Sequence, residues 1–456
     1  MKRLRLCILV LIVDAPCAVS AWGSHNVAAY RALERMPEVV NAKPVVVEPL
    51  DAFLRGEGRA IEALLAGQEA WAKANLLAYP ARPAALAYKA DAGGDEAGRK
   101  LTFLQALRVA PDSRLALYLQ PDPRDGKEQG ETLPYDAVNT LPEPPNASIR
   151  FVAVKPGQTV SALSVLATAS QEPDLGLDIN VWDDSPSEWG PRYGFGKLPF
   201  GNPTINFSTQ APFHMGFFHE DRIVYLAAPF LKRTFPMLRA HQYSTLATLA
   251  FRTGHPYWGW RFSGMALHYV QDLTQPFHAS LAPGYSTARL LGINLMAMVG
   301  LSGAKQDLVV LLSNRHLALE AYQAKLVLNA SVSRADNAII RALQDTSQDA
   351  RYPAWSDLYA RDVVAQESYD FANTLNVILV NALPSAYVQD PAFDFGASDV
   401  KINKLMDAMA KMDPAKVNPF NDSIAELLGH FGAHSRNAMR GILSAAGMAR
   451  GGAGPL

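Results

Sequence analysis

The sequence predicts an all-α fold, and three observations support this prediction. Apolar residues recur with a helical period along most of the chain, whereas the alternation typical of strands is rare and appears mainly near residues 148–154. Ser24 stands at a helix N-cap position before one periodic segment. Two His–carboxylate pairs have the four-residue spacing that places side chains on one helix face. Further helices are predicted at residues 59–76, 98–109, 158–170, 222–252 and 261–275.

The first 21 residues have the layout of a cleavable secretory signal. Basic residues precede an apolar run, and a stretch of small residues ends at Ala21. A membrane anchor needs about 20 apolar residues, and Asp14 interrupts this run after roughly eight. We therefore expect cleavage after Ala21 and a secreted or periplasmic protein that begins at Trp22, with residues 22–456 forming one helical domain.

The two cysteines, Cys7 and Cys17, both lie in the predicted signal, so the mature chain has no thiol. Cysteine-based zinc sites, iron–sulfur clusters, disulfides and cysteine catalysis are thereby excluded. Without the signal the chain has 39 Lys and Arg against 42 Asp and Glu, which indicates no surface for binding a polyanion. A transition-metal site would have to consist of His, carboxylate and backbone groups.

The segment RFSGMALHYVQDLTQPFHAS, residues 261–280, carries the most informative pattern. Its apolar residues form one stripe, whereas His268 and Asp272 lie four apart on a different face, a spacing that suits two ligands of one metal ion. Pro276 is expected to end the helix, with His278 on the exit turn, where it could reach a neighbouring ion. The alternative for His268 and Asp272 is a structural hydrogen-bonded pair.

A second pair occurs in SNRHLALEAYQAK, residues 313–325. Ser313 fits a helix N-cap, and His316 and Glu320 follow four apart on one helix. Such a pair is common on solvated helix faces, but two occurrences in one chain favour a metal site. The His-x-x-x-His pair at residues 430–434 is expected to be structural.

These residues resemble the zinc-dependent phospholipases C and the related S1/P1-type nucleases, a superfamily of exported, all-helical enzymes. The stretch HYVQDLTQPFH, residues 268–278, is similar to the central motif of that superfamily with every spacing kept. His316 and Glu320 are similar to its late His-x-x-x-Glu pair, in which Glu matches the phospholipase branch. Trp22 matches the N-terminal Trp whose α-amine and carbonyl bind zinc in these enzymes.

The resemblance implies a phospholipase C/P1 nuclease-like helical core with large insertions near residues 40–160 and 281–313 and a C-terminal extension. It also implies three zinc ions per chain. The implied ligands are Asp174, His214, His268 and Asp272 for the first ion; His278, His316 and Glu320 for the second; and Trp22 and His25, with Asp272 bridging, for the third. Two of these positions keep alternates, which are Asp178 for Asp174 and His219 for His214.

The reaction implied by the resemblance is hydrolysis of a phosphodiester. A hydroxide between two ions attacks phosphorus in line, and the remaining ion neutralises the departing oxygen. Asp174 is the implied catalytic residue, which orients or deprotonates the attacking water. No protein nucleophile is required.

Three features favour phospholipase C over a nuclease. Glu320 stands in place of Asp, disulfides are absent, and the chain is weakly acidic. The expected substrate is a glycerophospholipid at a membrane interface, cleaved to diacylglycerol and a phosphorylated head group. Nucleic acid is the substrate only under the alternative of an S1/P1-type nuclease, and no protein partner is inferred. An inactive binding relative is a third hypothesis.

Between His278 and His316, two apolar runs at Leu290–Leu301 and Leu308–Leu312 are too short to span a bilayer. One interpretation is a flap that dips into a lipid interface beside the metal ions. The favoured interpretation is a helical hairpin buried in the protein's own core.

Overall fold

A computed structural model describes residues 24–448, apart from 92–93, 126–129, 142–149, 199–208, 334–335, 394 and 396–398. The predicted signal, Trp22 and residues 449–456 lie outside the described residues. The chain is mostly helical, which confirms the predicted all-α class. None of the described helices combines the length and the apolar composition that crossing a bilayer requires.

The α-helices are α1 (His25–Leu33), α2 (Pro37–Val40), α3 (Leu50–Gly56), α4 (Gly58–Asn75), α5 (Glu96–Leu107), α6 (Ala162–Ala169), α7 (Gly190–Tyr193), α8 (Ala211–His214), α9 (Arg222–Ala227), α10 (Pro236–Arg252), α11 (Pro256–Asp272), α12 (Pro276–Ala279), α13 (Thr287–Met298), α14 (Gly303–Ser333), α15 (Ala338–Gln344), α16 (Gln366–Ala382), α17 (Ser385–Val388), α18 (Asp399–Met409) and α19 (Pro414–Ala445). The short strands are β1 (Val45–Val46), β2 (Tyr118–Leu119), β3 (Thr132–Leu133), β4 (Phe151–Ala153) and β5 (Thr159–Val160). β1 pairs antiparallel with β5, and β4 lies between β2 and β3, antiparallel to both.

Helix α11 lies at the centre of the fold. Pro256 occupies its first turn, where the missing amide hydrogen costs no helical hydrogen bond. Every residue from Tyr257 to Asp272 is buried, and the helix packs against α6, α10 and α19. The stripe predicted from the sequence is therefore only one of several buried faces. The polar side chains of α11 must find partners inside the protein.

Two glycines set the position of the neighbours of α11. Gly254, with φ +85°, follows α10 in the left-handed conformation and allows the chain to turn back into α11. Gly264 faces the end of α6 so closely that a Cβ would lie 2.4 Å from the carbonyl oxygen of Leu166. This close approach, one turn before His268, brings the carbonyl of Ser170 to the His268 ring.

Two predicted helices are confirmed with ends that differ by one or two residues, and another is wrong because of proline. Residues 59–76 and 98–109 correspond to α4 and α5. Residues 222–252 are not one helix, because Pro229 and Pro236 divide them into α9, a 3-10 turn and α10. Proline lacks the amide hydrogen that a continuous helix needs. Pro229 and Pro236 therefore each stand in the first turn of an element.

Two other predicted helix starts also differ from the structure. Ser24 occupies the N-cap position of α1, but it has left-handed φ and ψ and its side chain makes no capping hydrogen bond. Residues 158–170 begin as the strand β5, and α6 starts only at Ala162. The alternation near residues 148–154 corresponds to β4.

The helices of the two His–carboxylate motifs have different ends from those predicted. α11 ends at Asp272, and Pro276 begins the short helix α12 instead of ending α11. His278 consequently lies within α12 rather than on an exit turn. Ser313 is not an N-cap, because α14 begins at Gly303 and continues through Ser313.

Residues 287–333 form a helical hairpin of α13 and α14. None of the residues of α13 is buried, so the prediction of a hairpin buried in the core is wrong. The apolar side chains at the end of α13 and in the following turn are exposed to solvent.

Candidate metal centre

The ligands predicted within the described residues come together inside the protein from six elements. They are carried by α1, the 3-10 turn at residues 172–175, α8, α11, α12 and α14. Their ligand atoms form three groups, and within each group these atoms lie within 4.8 Å of one another. The groups are His25, His268 and Asp272; Asp174, His214 and His268; and His278, His316 and Glu320.

The first group joins the start of α1 to the end of α11. His25 Nε2 lies 3.2 Å from Asp272 Oδ1, and the rings of His25 and His268 lie 4.3 Å apart. His25 Nδ1 lies 2.8 Å from Gln271 Oε1. Because the Gln271 amide nitrogen donates to Ser435, Oε1 is the acceptor, and the proton of His25 is assigned to Nδ1. The lone pair on Nε2 therefore faces Asp272.

The second group shares His268 with the first. His268 Nδ1 lies 2.8 Å from the carbonyl oxygen of Ser170, which can only accept, so Nε2 carries the lone pair. That nitrogen lies 3.0 Å from His214 Nδ1, 3.2 Å from Asp272 Oδ2 and 3.6 Å from Asp174 Oδ1. Gln171 donates to Asp174 Oδ2 at 2.7 Å, so Oδ1 remains for the histidines.

The third group lies between α12 and α14. His278 Nδ1 is held by the carbonyl oxygen of His214 at 2.9 Å, which leaves Nε2 as the lone-pair nitrogen. His278 Nε2 lies 3.1 Å from His316 Nε2 and 3.2 Å from Glu320 Oε1. His316 Nε2 lies 2.7 Å from the same oxygen. Gln275 also donates to Glu320 Oε1, at 3.1 Å.

This arrangement fits metal ions better than it fits a hydrogen-bond network. Protein acceptors hold the Nδ1 hydrogens of His25, His268 and His278, so the opposite nitrogens converge on one another and on carboxylates. Among the described residues, buried atoms of the three groups that make no hydrogen bond include His25 Nε2, Asp174 Oδ1, Asp272 Oδ1 and Glu320 Oε2. Buried polar atoms are normally paired, and a cation would satisfy these. The three buried groups could therefore bind metal ions.

The pKa values show how strongly these charges interact. Burial opposes ionisation of Asp272, but nearby histidines hold its pKa well below the usual range. Despite burial, His316 and His278 lower the pKa of Glu320 to about 2. Burial also opposes a charge on His214, yet hydrogen bonding to Asp178 and Asp272 raises its pKa to about 10. Asp272 and Glu320 therefore remain ionised in spite of their burial.

Asp174 behaves differently from the other two carboxylates of the cluster. Burial is the dominant influence and raises its pKa, although the histidines around it act in the opposite direction. The turn that carries Asp174 is fixed to α11 by a buried ion pair, in which Arg261 Nε donates to Glu172 at 2.9 Å. Asp174 is thus a buried, oriented carboxylate with one oxygen facing the cluster.

The structure separates the alternates from the preferred residues. Asp178 lies behind His214, 3.5 Å from its Nε2, and accepts from Arg239 at 2.8 Å and from Tyr269 at 2.6 Å. His219 lies 2.8 Å from the carbonyl oxygen of Arg361, outside the three groups. Asp174 and His214, rather than these alternates, are brought into the cluster.

Residues that orient the ligands were not predicted from the sequence. Gln271, Gln275 and the Ser170 carbonyl hold His25, Glu320 and His268 respectively. The two glutamines had a recognisable signal, because they lie four residues apart within the central motif. A backbone carbonyl has no such signal in a sequence.

Comparison of the chain with known protein families, with curated proteins and with solved structures finds no match.

Proposed function

We propose that this chain is an exported zinc-dependent phosphodiesterase with a phospholipase C/P1 nuclease-like helical core, and that it acts as a phospholipase C. One observation carries the proposal, namely the convergence of three buried His–carboxylate groups, two of which share His268. Asp272 directs Oδ1 to His25 and Oδ2 to His214 and His268, as expected for a carboxylate that bridges two ions.

The donor set supports zinc. Imidazole and carboxylate ligands suit this ion, and the oriented imidazoles have the outer hydrogen bonds usual at zinc sites. His25 and Asp272 would share the third ion with Trp22, which lies outside the described residues and stays a predicted ligand. Asp174, His214, His268 and Asp272 would hold the first ion, while His278, His316 and Glu320 would hold the second.

Zinc bound here would supply Lewis acidity and lower the pKa of a coordinated water. The protein residues would provide orientation and charge balance. Asp174 presents an oxygen without a hydrogen-bond partner, and burial raises its pKa, which suits it to accept a proton from water. Gln171 holds the other oxygen and so fixes the direction of the carboxylate.

His316 marks the side from which a phosphodiester would enter. Its side chain is 15% exposed, whereas that of Glu320 is 2% exposed and that of His268 is fully buried. Apolar residues exposed on the α13–α14 hairpin lie on the same polypeptide segment as His316. These exposed apolar residues, together with Glu320, favour a lipid as substrate over a polynucleotide, whose phosphates would require Lys and Arg.

The test is metal content of the processed protein by elemental analysis, combined with phosphocholine release from phosphatidylcholine before and after chelation. We expect close to three zinc ions per chain and release that stops with chelator and returns with zinc. Zinc without lipid cleavage, but with cleavage of single-stranded nucleic acid, would favour the nuclease. A protein without metal would contradict the proposal.

A further inference from the structure

The exposed apolar side chains of this protein are concentrated at one place. Fourteen large hydrophobic residues are exposed in the described part of the chain, and five of them lie within residues 295–301. Leu295 is 63% exposed and Val299 is 70% exposed. Two more, Ile223 and Leu226, belong to α9, which packs against α13. Half of the exposed large hydrophobic residues thus lie on two contacting elements.

The end of the hairpin carries no charge. We call residues 290–304, from the second half of α13 through the turn to the start of α14, the hairpin tip. No Asp, Glu, Lys or Arg occurs in it. Asn294, its one amide side chain, donates to the carbonyl of Leu290 at 3.0 Å, so one of its amide hydrogens is already paired. The hairpin tip therefore loses little polar hydration when it leaves water.

The hairpin tip is held in a fixed relation to the metal centre. α14 is one helix that contains both Gly303 and His316, so the two ends of this stretch are separated by about 20 Å along the axis. The first residue of α13, Thr287, donates a hydrogen bond to Asp221 at the start of α9. α9 follows His214 in the chain, so both supports of the hairpin adjoin ligand-bearing segments.

We propose that the hairpin tip, together with the exposed side of α9, inserts into the surface of phosphatidylcholine membranes and places the metal centre at the lipid. The role in delivering substrate rests on the proposed phospholipase activity, whereas membrane insertion is measured independently. The apolar run is too short to cross a bilayer, so the hairpin tip would lie in the interface.

The composition favours a membrane over a protein as the occupant. Stable protein interfaces use about 20–30 residues from each partner, with a polar rim. Five exposed apolar residues lie in the hairpin tip with no charged side chain among them, whereas a protein interface has polar groups that pair at its rim. The exposed charges that flank the hairpin tip are one of each sign, Arg289 and Asp307, so attraction to anionic lipid is not required. Insertion into zwitterionic lipid should therefore resist added salt.

The first experiment uses the absence of thiols from the chain after Ala21. A single Val299→Cys variant of the processed protein, labelled with an environment-sensitive fluorophore, is mixed with phosphatidylcholine vesicles. The control is Val332→Cys, at the opposite end of α14, where the native side chain is 54% exposed. We expect a blue shift of the label at position 299 and none at position 332, with the same result at high salt.

The second experiment removes the apolar surface. Leu295→Ser/Val299→Ser should reduce partition into phosphatidylcholine vesicles by at least about tenfold, because two apolar side chains no longer enter the lipid. The matched control is Leu77→Ser/Val332→Ser, where the native side chains are 59% and 54% exposed. Both variants should hydrolyse the soluble diester p-nitrophenyl phosphorylcholine as the parent protein does. Only the hairpin variant should lose rate on vesicles.

The outcomes distinguish the two proposals. Hydrolysis of vesicle lipid without a shift of the label at position 299 would overturn membrane insertion and leave the phospholipase proposal standing. A shift without hydrolysis of any diester would support insertion and contradict the phospholipase. If the parent protein were dimeric and the hairpin variant monomeric by light scattering, with no shift on vesicles, the surface would be a contact between copies and the inference would be wrong.

Discussion

Two of the clusters that combine histidines with carboxylates in the described part of the chain differ in how their histidines are held. In the candidate metal centre, one nitrogen of each of three histidines is held by the protein, while the other faces neighbouring histidines and carboxylates. In the second cluster, His434 Nδ1 lies 2.8 Å from Tyr359 OH and His434 Nε2 lies 3.0 Å from Glu367, so both nitrogens have hydrogen-bond partners. His430 approaches the same carboxylate at 3.3 Å.

The difference shows that four-residue spacing alone does not identify a metal site. Both clusters have a pair of residues four apart on one helix. Only in the candidate metal centre do oxygen acceptors hold the Nδ1 hydrogens, so that each Nε2 faces its neighbours without a hydrogen. The contacts of the second ring nitrogen of each histidine are more informative than the spacing. Four predictions test this distinction.

The largest effect is expected from Asp272→Asn. The substitution keeps the size of the side chain but removes the negative charge that two groups of histidines share. We expect loss of ions from both groups and a fall in diester hydrolysis of more than about 100-fold, beyond what loss of an orienting residue causes. Elemental analysis and phosphocholine release measure the two effects.

The matched variant in the second cluster is Glu367→Gln, which should leave metal content unchanged. Circular dichroism of both variants checks that they fold. Full metal content in Asp272→Asn would contradict the assignment of the cluster as a metal centre.

The next effect concerns the α-amine of Trp22. An α-amine coordinates only as a neutral base, and its usual pKa is about 8. One extra residue before Trp22 converts that amine to an amide, so we expect loss of one ion and of most activity. The control carries the extra residue after Leu456. Three ions and full activity in the N-terminally extended protein would exclude Trp22 as a ligand.

A smaller effect is expected from Asp178→Asn, which tests whether this alternate is a ligand or an orienting residue. Behind His214, the carboxylate should act by fixing the ring, so zinc affinity should fall by about 10–100-fold while all ions still bind at saturating zinc. Tyr269→Phe, which removes one hydrogen bond to Asp178, should have a weaker effect. Permanent loss of an ion from Asp178→Asn would instead make it a ligand.

The smallest effect is a pH dependence of stability that differs between the metal-free and the zinc-loaded protein. The carboxylates raise the pKa of His214 in the folded protein to about 10, above the unfolded value of 6.5. The metal-free folded state therefore binds more protons, and its stability should fall as pH rises from 6.5 to about 10, by up to about 1.4 kcal/mol per pH unit for one histidine.

Zinc reverses this dependence, since protons compete with the ion for the same nitrogen atoms. The difference in melting temperature between zinc-loaded and chelated protein should widen as pH rises from 6.5 towards 9. Thermal unfolding of both forms in matched buffers measures it. A difference that is constant with pH would contradict proton displacement at the histidines.

The sequence was most informative where a motif is local. His268 and Asp272 lie on one turn of one helix, so their relation follows from helical geometry alone. The cluster as a whole brings α1 next to α11 and α14, which depends on packing across hundreds of residues. The preference for His214 over His219 came from the resemblance, and the contacts of His214 with α11 and α12 give it a physical reason.

Some predicted helix boundaries were wrong because they too depend on more than the local pattern. A periodic pattern continued through residues 222–252, but the prolines within it allow only separate elements. Ser313 looked like a cap because local sequence does not show that α14 has already begun at Gly303. The exposure of α13 could not be predicted, because burial of an apolar helix depends on whether another element covers it.

The continuity of α14 has a consequence for how this region can vary in length. An α-helix turns by about 100° for each residue, so one residue added between Gly303 and His316 would rotate the hairpin about the helix axis relative to the histidine. The apolar side of α13 would then point in another direction, although every ligand kept its place. Changes of about seven residues, close to two whole turns, would preserve the direction and alter only the reach. Homologous chains should therefore differ here by whole turns.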